Sequence, residues 1–141
     1  DGGQVQGKLE YHYAIAPQAG TYEEEKFADR AEQLKIPLKP VQTTVPNRAQ
    51  GTLPLKYSFY EVEGKVSVSC FKKAAEDEAV ILRLFNLSGN QETAVVKFAA
   101  DIKAAYLVDL KEDVIEEIKA DGHKVTVSMD PNKICTLKIV Q

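Results

Sequence analysis

The C-terminal part of the chain alternates between apolar and polar residues in short runs, the period expected of β-strands that bury one face. Lys124 to Met129 shows it clearly, because its second, fourth and sixth residues are apolar and the others polar. Turn residues such as Asp121-Gly122 and Asp130-Pro131-Asn132 separate the runs. The pattern predicts eight strands: Tyr57 to Val62, Lys65 to Phe71, Ala79 to Phe85, Thr93 to Phe98, Ala104 to Leu110, Val114 to Ile118, Lys124 to Met129 and Ile134 to Val140.

Short strands with turns at this spacing predict a mainly β fold, an antiparallel β-sandwich. Glu63-Gly64, between the first two strands, predicts a two-residue hairpin. Val114 to Ile118 is the weakest strand, because its glutamates would also suit a helical turn.

Residues 1–54 show a different pattern of apolar, polar and proline residues. Leu9 to Ile15 places four apolar side chains on one face of a strand, and such a strand needs a sheet to join. Thr21 and Glu24 form a capping box for a short helix that ends near Lys35. Four prolines, at positions 37, 40, 46 and 54, then predict an extended linker. The predicted boundary therefore separates residues 1–54 from a C-terminal sandwich, residues 55–141.

Size and charge exclude several classes of protein. A chain of 141 residues can bury one core without metals, and a net charge of -3 gives no basic surface for nucleic acid. No apolar run approaches the roughly 18 residues that span a bilayer, so no membrane partner is predicted. Met129 is the only methionine and none stands at position 1. This is expected of a piece of a longer polypeptide or of N-terminal processing.

The two cysteines predict a reducing compartment. Cys70 is in step with Val66 and Val68, and Cys135 is in step with Leu137, so both are predicted to face inward as buried free thiols. A disulfide between them stays open if their strands pair. Two cysteines do not make a secreted disulfide scaffold, and the cytoplasm is the predicted location.

No catalytic constellation stands out. The acidic runs at residues 23–25, 76–78 and 116–117 are predicted to be solvated, because like charges repel when buried. His12 and His123 have no nucleophile beside them; His12 is predicted to be a surface or interface residue. No CxxC, HxxxH or phosphate-loop motif occurs, so no catalytic, cofactor or metal residue is predicted in this chain.

Several residues allow two interpretations. Arg83, inside an apolar strand, either meets a carboxylate on a neighbouring strand or domain or faces solvent. Asn86, in the sequon Asn86-Leu87-Ser88, is predicted to cap a turn rather than to contact sugar. Tyr11, Tyr13 and Tyr22 could form a sugar-stacking platform, but packing against an adjacent domain is favoured.

Several short motifs follow one another along the chain. Residues 13–22, YAIAPQAGTY, resemble the Tyr-Ala-Leu-x-Pro-His-x-Gly-x-Trp stretch of glycoside hydrolase family 38, the α-mannosidases, with Gln18 in place of His and Tyr22 in place of Trp. Residues 31–38 resemble Ala-x-x-x-Asn-x-Pro-Leu, with Lys35 in place of Asn. The remaining motifs follow in the family's order: residues 68–77 with 81–86 (Ser-x-x-Lys, an acidic loop, then Leu-Arg-Leu-Tyr-Asn), residues 109–112 (Asp-Leu-x-Glu) and residues 131–137 (Pro-x-x-Ile-x-Thr-Leu).

The resemblance implies a retaining α-mannosidase in which a preceding α/β domain holds a zinc ion and an Asp nucleophile. Its reaction would be hydrolysis of terminal α-mannosyl linkages through a covalent glycosyl-enzyme. No residue here matches the nucleophile or the zinc ligands, so this chain is expected to be the inactive C-terminal β-region, with the preceding domains as its partners and a mannose-containing glycan bound through the parent enzyme. The alternative is an independent carbohydrate-binding or protein-interaction sandwich.

Overall fold

The computed structural model describes residues 7–17, 19, 20, 27–44 and 51–141. The chain divides into two compact units, Asp1–Pro40 and Val41–Gln141. All strands assigned in the described residues lie after residue 54. The predicted domain boundary between residues 54 and 55 stays a prediction.

The first unit contains one described helix, α1 (Phe27–Lys35). Its last turn continues into a hydrogen bond from the Ile36 amide to the Glu32 carbonyl oxygen, at 2.7 Å. Pro37 then ends the helix, because a proline disfavours the helical conformation at the residue before it. The predicted helix end near Lys35 is confirmed, whereas the predicted capping box at Thr21 and Glu24 lies outside the described residues.

Residues 9–15 form no strand in the structure. They contain the predicted alternation, but Leu9, Tyr11, Tyr13 and Ile15 are all more than half exposed. A strand exists only through hydrogen bonds to a neighbouring strand, and within the described residues this segment pairs with none.

The second unit is a sandwich of two antiparallel sheets, as predicted. Sheet A has four strands in the order β1-β4-β8-β7, and sheet B has five in the order β2-β3-β9-β5-β6. The nine strands assigned in the described residues are β1 (Tyr60–Glu63), β2 (Ser67–Lys73), β3 (Val80–Phe85), β4 (Glu92–Phe98), β5 (Ala104–Val108), β6 (Val114–Ile118), β7 (Ala120–Asp121), β8 (Lys124–Met129) and β9 (Ile134–Val140). Sequence patterns predicted all of them except the two-residue β7, and β6 is a strand rather than a helical turn.

The predicted hairpin at Glu63-Gly64 is wrong. β1 pairs with β4 in sheet A, and β2 pairs with β3 in sheet B, so the turn carries the chain from one sheet to the other. Gly64 is required there for two reasons: its φ is +118°, and a Cβ atom would collide with the carbonyl oxygen of Thr93. A Glu-Gly turn can therefore join strands of two different sheets, and the local sequence does not distinguish this connection from a hairpin.

The main core lies between the sheets. Leu137 in β9 is fully buried and lies opposite Leu82 of β3 on one side and Leu107 of β5 on the other. Inward positions of β4 and β8 on sheet A face it. The buried members of this core are Leu82, Leu84, Ala94, Val96, Phe98, Ala105, Val125, Val127, Met129, Cys135, Leu137 and Ile139.

A smaller core covers part of the outer face of sheet B. Ile81 and Val108 point away from the main core and pack with Ala74 and Ala79, which belong to the loop between β2 and β3. Tyr106 and Val140 pack against the same cluster. Sheet B thus buries apolar side chains on its inner face and on part of its outer face.

Candidate functional site

The acidic runs serve local structure where the structure describes them. Asp77 forms an ion pair with Lys138, at 2.7 Å, and also accepts the Ala79 amide, at 2.9 Å. Glu78 pairs with Lys73, while the glutamates of β6 are exposed at the edge of sheet B. The run at residues 23–25 lies outside the described residues. Within the described residues no group of three His, Cys, Asp or Glu side chains could hold a metal ion.

The two histidines are exposed and belong to different units of the chain. His12 is exposed in the first unit, in accord with its predicted surface position. His123 is exposed in the turn between β7 and β8, where its carbonyl oxygen accepts the Phe98 amide at 2.8 Å. Its role is therefore to close the β4–β8 ladder through its backbone.

Asn86, at the end of β3, is the most connected polar side chain of the sandwich. It is 1% exposed, and its Nδ2 donates to the carbonyl oxygens of Asn90 at 2.8 Å, Asp130 at 3.0 Å and Met129 at 3.4 Å. Its Oδ1 accepts the Ser88 amide at 2.9 Å. This confirms the predicted turn-capping role and leaves no room for a glycan on the sequon in the folded sandwich.

Asp109 and Glu112 organise the loop between β5 and β6. Asp109 Oδ1 accepts the amides of Lys111 at 2.8 Å and Asp113 at 3.0 Å, which folds the loop on itself. Glu112 consequently adopts a φ of +74°, in the left-handed region that a residue with a Cβ rarely enters. This conformation needs compensating contacts, and the Glu112 carboxylate supplies them.

The Glu112 carboxylate links this loop to the loop between β2 and β3. One oxygen contacts Lys72 Nζ at 2.5 Å, and the other accepts the Ala75 amide at 2.8 Å. The hydrogen bond from Lys72, followed by that from Ala75, lowers the pKa of Glu112 below its ordinary value. We call this arrangement the Glu112 clasp; it fastens the β2–β3 loop over the smaller core.

We expect the clasp to make the sandwich sensitive to acid. A carboxyl group whose pKa is lowered on folding stabilises the folded protein at pH values above the pKa that the group has in the unfolded chain. That stabilisation is lost as the pH falls through the pKa of the group in the folded protein. The pKa values of Glu112, Asp77 and Glu63 are all lowered, mainly by hydrogen bonds from Lys72, Lys138 and Lys97 respectively. Urea denaturation should therefore show a midpoint that falls steadily below pH 4.5, the ordinary value for glutamate.

The variant Glu112→Gln should be less stable at pH 7 and should show a flatter dependence on pH than the wild-type chain. Glu116→Gln, on the exposed edge strand β6, is the matched control and should leave the profile unchanged. Urea midpoints that fall with pH in the same way for Glu112→Gln and the wild type would contradict the role assigned to the Glu112 carboxylate.

The two cysteines are free, but only one faces the main core. Cys135 is buried there, as predicted, and burial raises its pKa to about 11. The prediction for Cys70 is wrong, because the register of β2 against β3 shifts between Val68 and Cys70. The bulge turns Val68 toward Leu84 and Cys70 toward Arg83 on the outer face. β3 lies between β2 and β9, so the strands of the two thiols are not neighbours.

Thiol labelling should distinguish the two cysteines. With a pKa of about 11, Cys135 carries only about one thiolate per thousand molecules at pH 8, and the thiolate is the reactive form. A disulfide reagent should therefore modify Cys70 of the folded chain and leave Cys135 unmodified, as peptide mass spectrometry would show. Both should react in urea, and equal rates in the folded chain would contradict the burial of Cys135.

Arg83 lies on the outer face of sheet B, between Cys70 of β2 and Thr136 of β9. Its Nε donates to the Thr136 hydroxyl at 3.1 Å, and Thr136 is buried. The structure thus shows a third arrangement, since the sequence offered either a carboxylate or open solvent. In the part of the chain that the structure describes, the guanidinium pairs with no carboxylate.

The tyrosines predicted to stack on sugar or to pack against an adjacent domain lie in the first unit of the chain. Tyr11 and Tyr13 are largely exposed, and Tyr22 lies outside the described residues. In the second unit, the exposed rings of Tyr57 and Phe59 meet edge to face at 5.2 Å. A search of the described residues finds no helix long and apolar enough to cross a membrane.

Taken together, the described side chains define an antiparallel β-sandwich domain whose conspicuous polar residues anchor its own loops. Comparison with family models gives a match over residues 65–137, more than half of the chain, to the glycosyl hydrolases family 38 C-terminal beta sandwich domain. The chain belongs to this family. A comparison with curated proteins gives no match.

The match confirms the family resemblance seen in the sequence. It runs from just before β2 into β9 and contains the sandwich motifs, including Asp109 and Glu112. The motifs at residues 13–22 and 31–38 lie outside it. The residues that carry the resemblance in the sandwich thus include Asn86 and the three members of the Glu112 clasp, Lys72, Ala75 and Glu112.

Proposed function

We propose that this chain is the non-catalytic C-terminal β-region of a retaining α-mannosidase and that it supports a catalytic domain in the same polypeptide. The family match over residues 65–137 carries the proposal, because the matched domain is a C-terminal part of family 38 glycosyl hydrolases. The chemistry of the described residues supports it. Asp77, Asp109 and Glu112 are engaged with lysines and loop amides, so none is poised as one of the two carboxyl groups that flank a glycosidic bond.

The reaction of the parent enzyme would be hydrolysis of terminal α-mannosyl linkages with retention. A carboxylate displaces the leaving group and forms a glycosyl-enzyme, and water then releases mannose with the original anomeric configuration. We assign the nucleophile and a zinc ion to a preceding α/β domain. The described residues bring together no group of three His, Cys, Asp or Glu side chains that could hold a metal ion, which accords with a metal site elsewhere in the polypeptide.

The preceding domains are then the partners of this chain, and residues 9–15 have the character of a strand that belongs with them. Their apolar side chains alternate with Glu10, His12 and Ala14 and are exposed in the structure. Backbone pairing with a sheet of a preceding domain would bury them. Two free cysteines accord with a cytoplasmic enzyme.

The test uses the whole polypeptide that contains this chain. We expect it to release mannose from an aryl α-mannoside, to lose activity on chelation of zinc, and to give the α-anomer first in proton NMR. Residues 1–141 alone should release no mannose. An inactive whole polypeptide, or an active 141-residue chain, would refute the proposal.

The alternative, an independent carbohydrate-binding sandwich, makes a different prediction. In that case the 141-residue chain alone would bind mannose in a calorimetric titration at millimolar concentration or tighter. Under the proposal the chain alone shows no such binding.

A further inference from the structure

The β2–β3 loop, residues 74–79, covers the smaller core with very little apolar contact. Its ends are joined by the hydrogen bond from the Ala74 amide to the Ala79 carbonyl oxygen, at 2.8 Å. The two alanines are the buried residues of the loop, and residues 75–78 are exposed. Their methyl groups pack with Ile81 and Val108, which are 0% and 3% exposed. Because two methyl groups bury a small area, polar contacts provide most of the hold on this loop.

The Glu112 clasp holds the loop from outside. Its carboxylate binds the Ala75 amide and Lys72 of β2, as described above. The Glu112 side chain is 11% exposed, so water and salt screen these contacts less than they screen a surface ion pair. The contacts also compensate for the left-handed backbone of Glu112. Loss of the carboxylate charge therefore weakens the clasp and the backbone conformation that presents it.

Asp77 holds the loop from within. It accepts the Ala79 amide at 2.9 Å and forms an ion pair with Lys138 of β9 at 2.7 Å. The Lys138 side chain is 15% exposed and lies between Ile81 of β3 and Tyr106 of β5 on the outer face of sheet B. Asp77 thus anchors the loop to the central strand of that sheet.

The positive groups that face the two carboxylates belong to β2 and β9. Lys72 and Lys138 face Glu112, whereas Lys138 and Lys73 face Asp77. Lys138 therefore couples the two carboxylates. The other ionisable side chains of the surrounding elements are Glu76 and Glu78 in the loop, Asp109, Lys111 and Asp113 beside Glu112, Cys70 of β2, Arg83 of β3, Tyr106 of β5 and Glu117 of β6.

Acid acts on both carboxylates in the same direction. The hydrogen bond from Lys72 lowers the pKa of Glu112, and the hydrogen bond from Lys138 lowers the pKa of Asp77. Their hold on the loop is complete above the ordinary pKa values, 4.5 for glutamate and 3.8 for aspartate, and is lost as the pH falls through the lower values of the folded chain. Lysines keep their charge in acid, so the positive charges then repel one another.

The main core does not depend on these charges. Its buried residues are apolar, except for Cys135, whose thiol is neutral in acid because burial raises its pKa to about 11. Protonation of Glu112 and Asp77 therefore removes contacts of the loop and leaves the packing between the two sheets in place.

We propose that the β2–β3 loop is a lid that acid releases. On protonation of Glu112 and Asp77 it detaches from the outer face of sheet B and exposes Ile81 and Val108, while the two sheets stay packed together. The surface uncovered in this way is apolar and is bordered by Lys72 and Lys138.

Amide hydrogen exchange of the 141-residue chain, followed by NMR at pH 7 and pH 3, tests the lid. Protection factors correct for the change of the intrinsic exchange rate with pH. At pH 3 the amides of Ala75 and Ala79 should exchange within about tenfold of an unfolded chain, while the Leu137 amide of β9 stays protected by more than about a thousandfold. Protection kept at Ala75 and Ala79, or lost at all three amides together, overturns the proposal.

The double variant Asp77→Asn with Glu112→Gln tests the charges without acid. Both substitutions keep an oxygen that can accept the loop amide and remove the charge that binds the lysine. At pH 7 the protection of the Ala75 and Ala79 amides should fall by at least about tenfold, because hydrogen bonds to charged groups are the stronger ones.

A matched double variant controls for the change in net charge. Glu61→Gln with Glu116→Gln removes two carboxylates from exposed positions on β1 and β6, and it should change the protection of the Ala75 and Ala79 amides by less than about twofold. The Leu137 amide reports whether each variant is folded. Unchanged protection of the loop amides in the Asp77 and Glu112 double variant overturns the lid, and so does simultaneous loss of protection at Leu137.

Discussion

Leu137→Ala should lower the free energy of unfolding of the sandwich by about 3–5 kcal/mol. Leu137 is fully buried at the middle of β9, between Leu82 and Leu107, with strands on both sides. The truncation removes apolar contacts and leaves a cavity that β3 and β5 cannot collapse to fill, because their backbones are fixed by the ladder on either side of β9. Urea denaturation of the 141-residue chain, followed by circular dichroism, measures the loss.

Two variants control for this effect. Leu137→Met keeps the volume and should cost less than about 1.5 kcal/mol. Thr126→Ala, on the exposed outer face of sheet A, should change stability by less than about 0.5 kcal/mol. A loss below about 1 kcal/mol for Leu137→Ala would show that the centre of sheet B is not the tightly packed core described.

Alternation of apolar and polar residues predicted most strands of the sandwich, whereas the same alternation at residues 9–15 corresponds to no strand in the structure. β8 is an example of the former: Val125, Val127 and Met129 are buried, and the residues between them face outward. Sheet A has a polar outer face, so its strands keep a clear period of two. β3 on sheet B was recognisable by its continuous apolar run, since both faces of that sheet contribute to cores.

Pairing between strands was not predictable from the same pattern. The turn at Glu63-Gly64 has the residues of a hairpin, but whether β2 returns along β1 or crosses to sheet B depends on contacts with β3 and β4. The prediction that Cys70 faces the core was wrong for a related reason. A single extra residue in β2 reverses the alternation beyond it, and nothing in the local sequence marks that bulge.

The candidate site was predictable only in part. Asn86 was correctly assigned to a turn, but its bonds to the carbonyls of Met129 and Asp130 join segments more than 40 residues apart. The Glu112 clasp likewise depends on two loops meeting over sheet B. The motif Asp109-Leu110-Lys111-Glu112 could have indicated the clasp. Because the Asp carboxylate accepts amides of its own loop, the carboxylate of the Glu is available for contacts outside that loop.

Asn86 connects two turns at one end of the sandwich, and this explains its burial. Its Nδ2 holds the carbonyls of Asn90 in the β3–β4 turn and of Met129 and Asp130 in the β8–β9 turn. Its backbone amide donates to the Lys133 carbonyl oxygen at 2.9 Å. One side chain thereby ties sheet A to sheet B at this end.

Asn86→Ala should therefore destabilise the sandwich by about 2–4 kcal/mol, because it leaves carbonyl groups without a donor where water has little access. Asn86→Asp should be worse still, since it replaces the donor with a negative charge facing three carbonyl oxygens. Asn90→Ala is the matched control: Asn90 contributes its backbone carbonyl, and its side chain is exposed, so the change should cost less than about 0.5 kcal/mol. Equal urea midpoints for Asn86→Ala and Asn90→Ala would mean that the buried amide does not hold the two turns together.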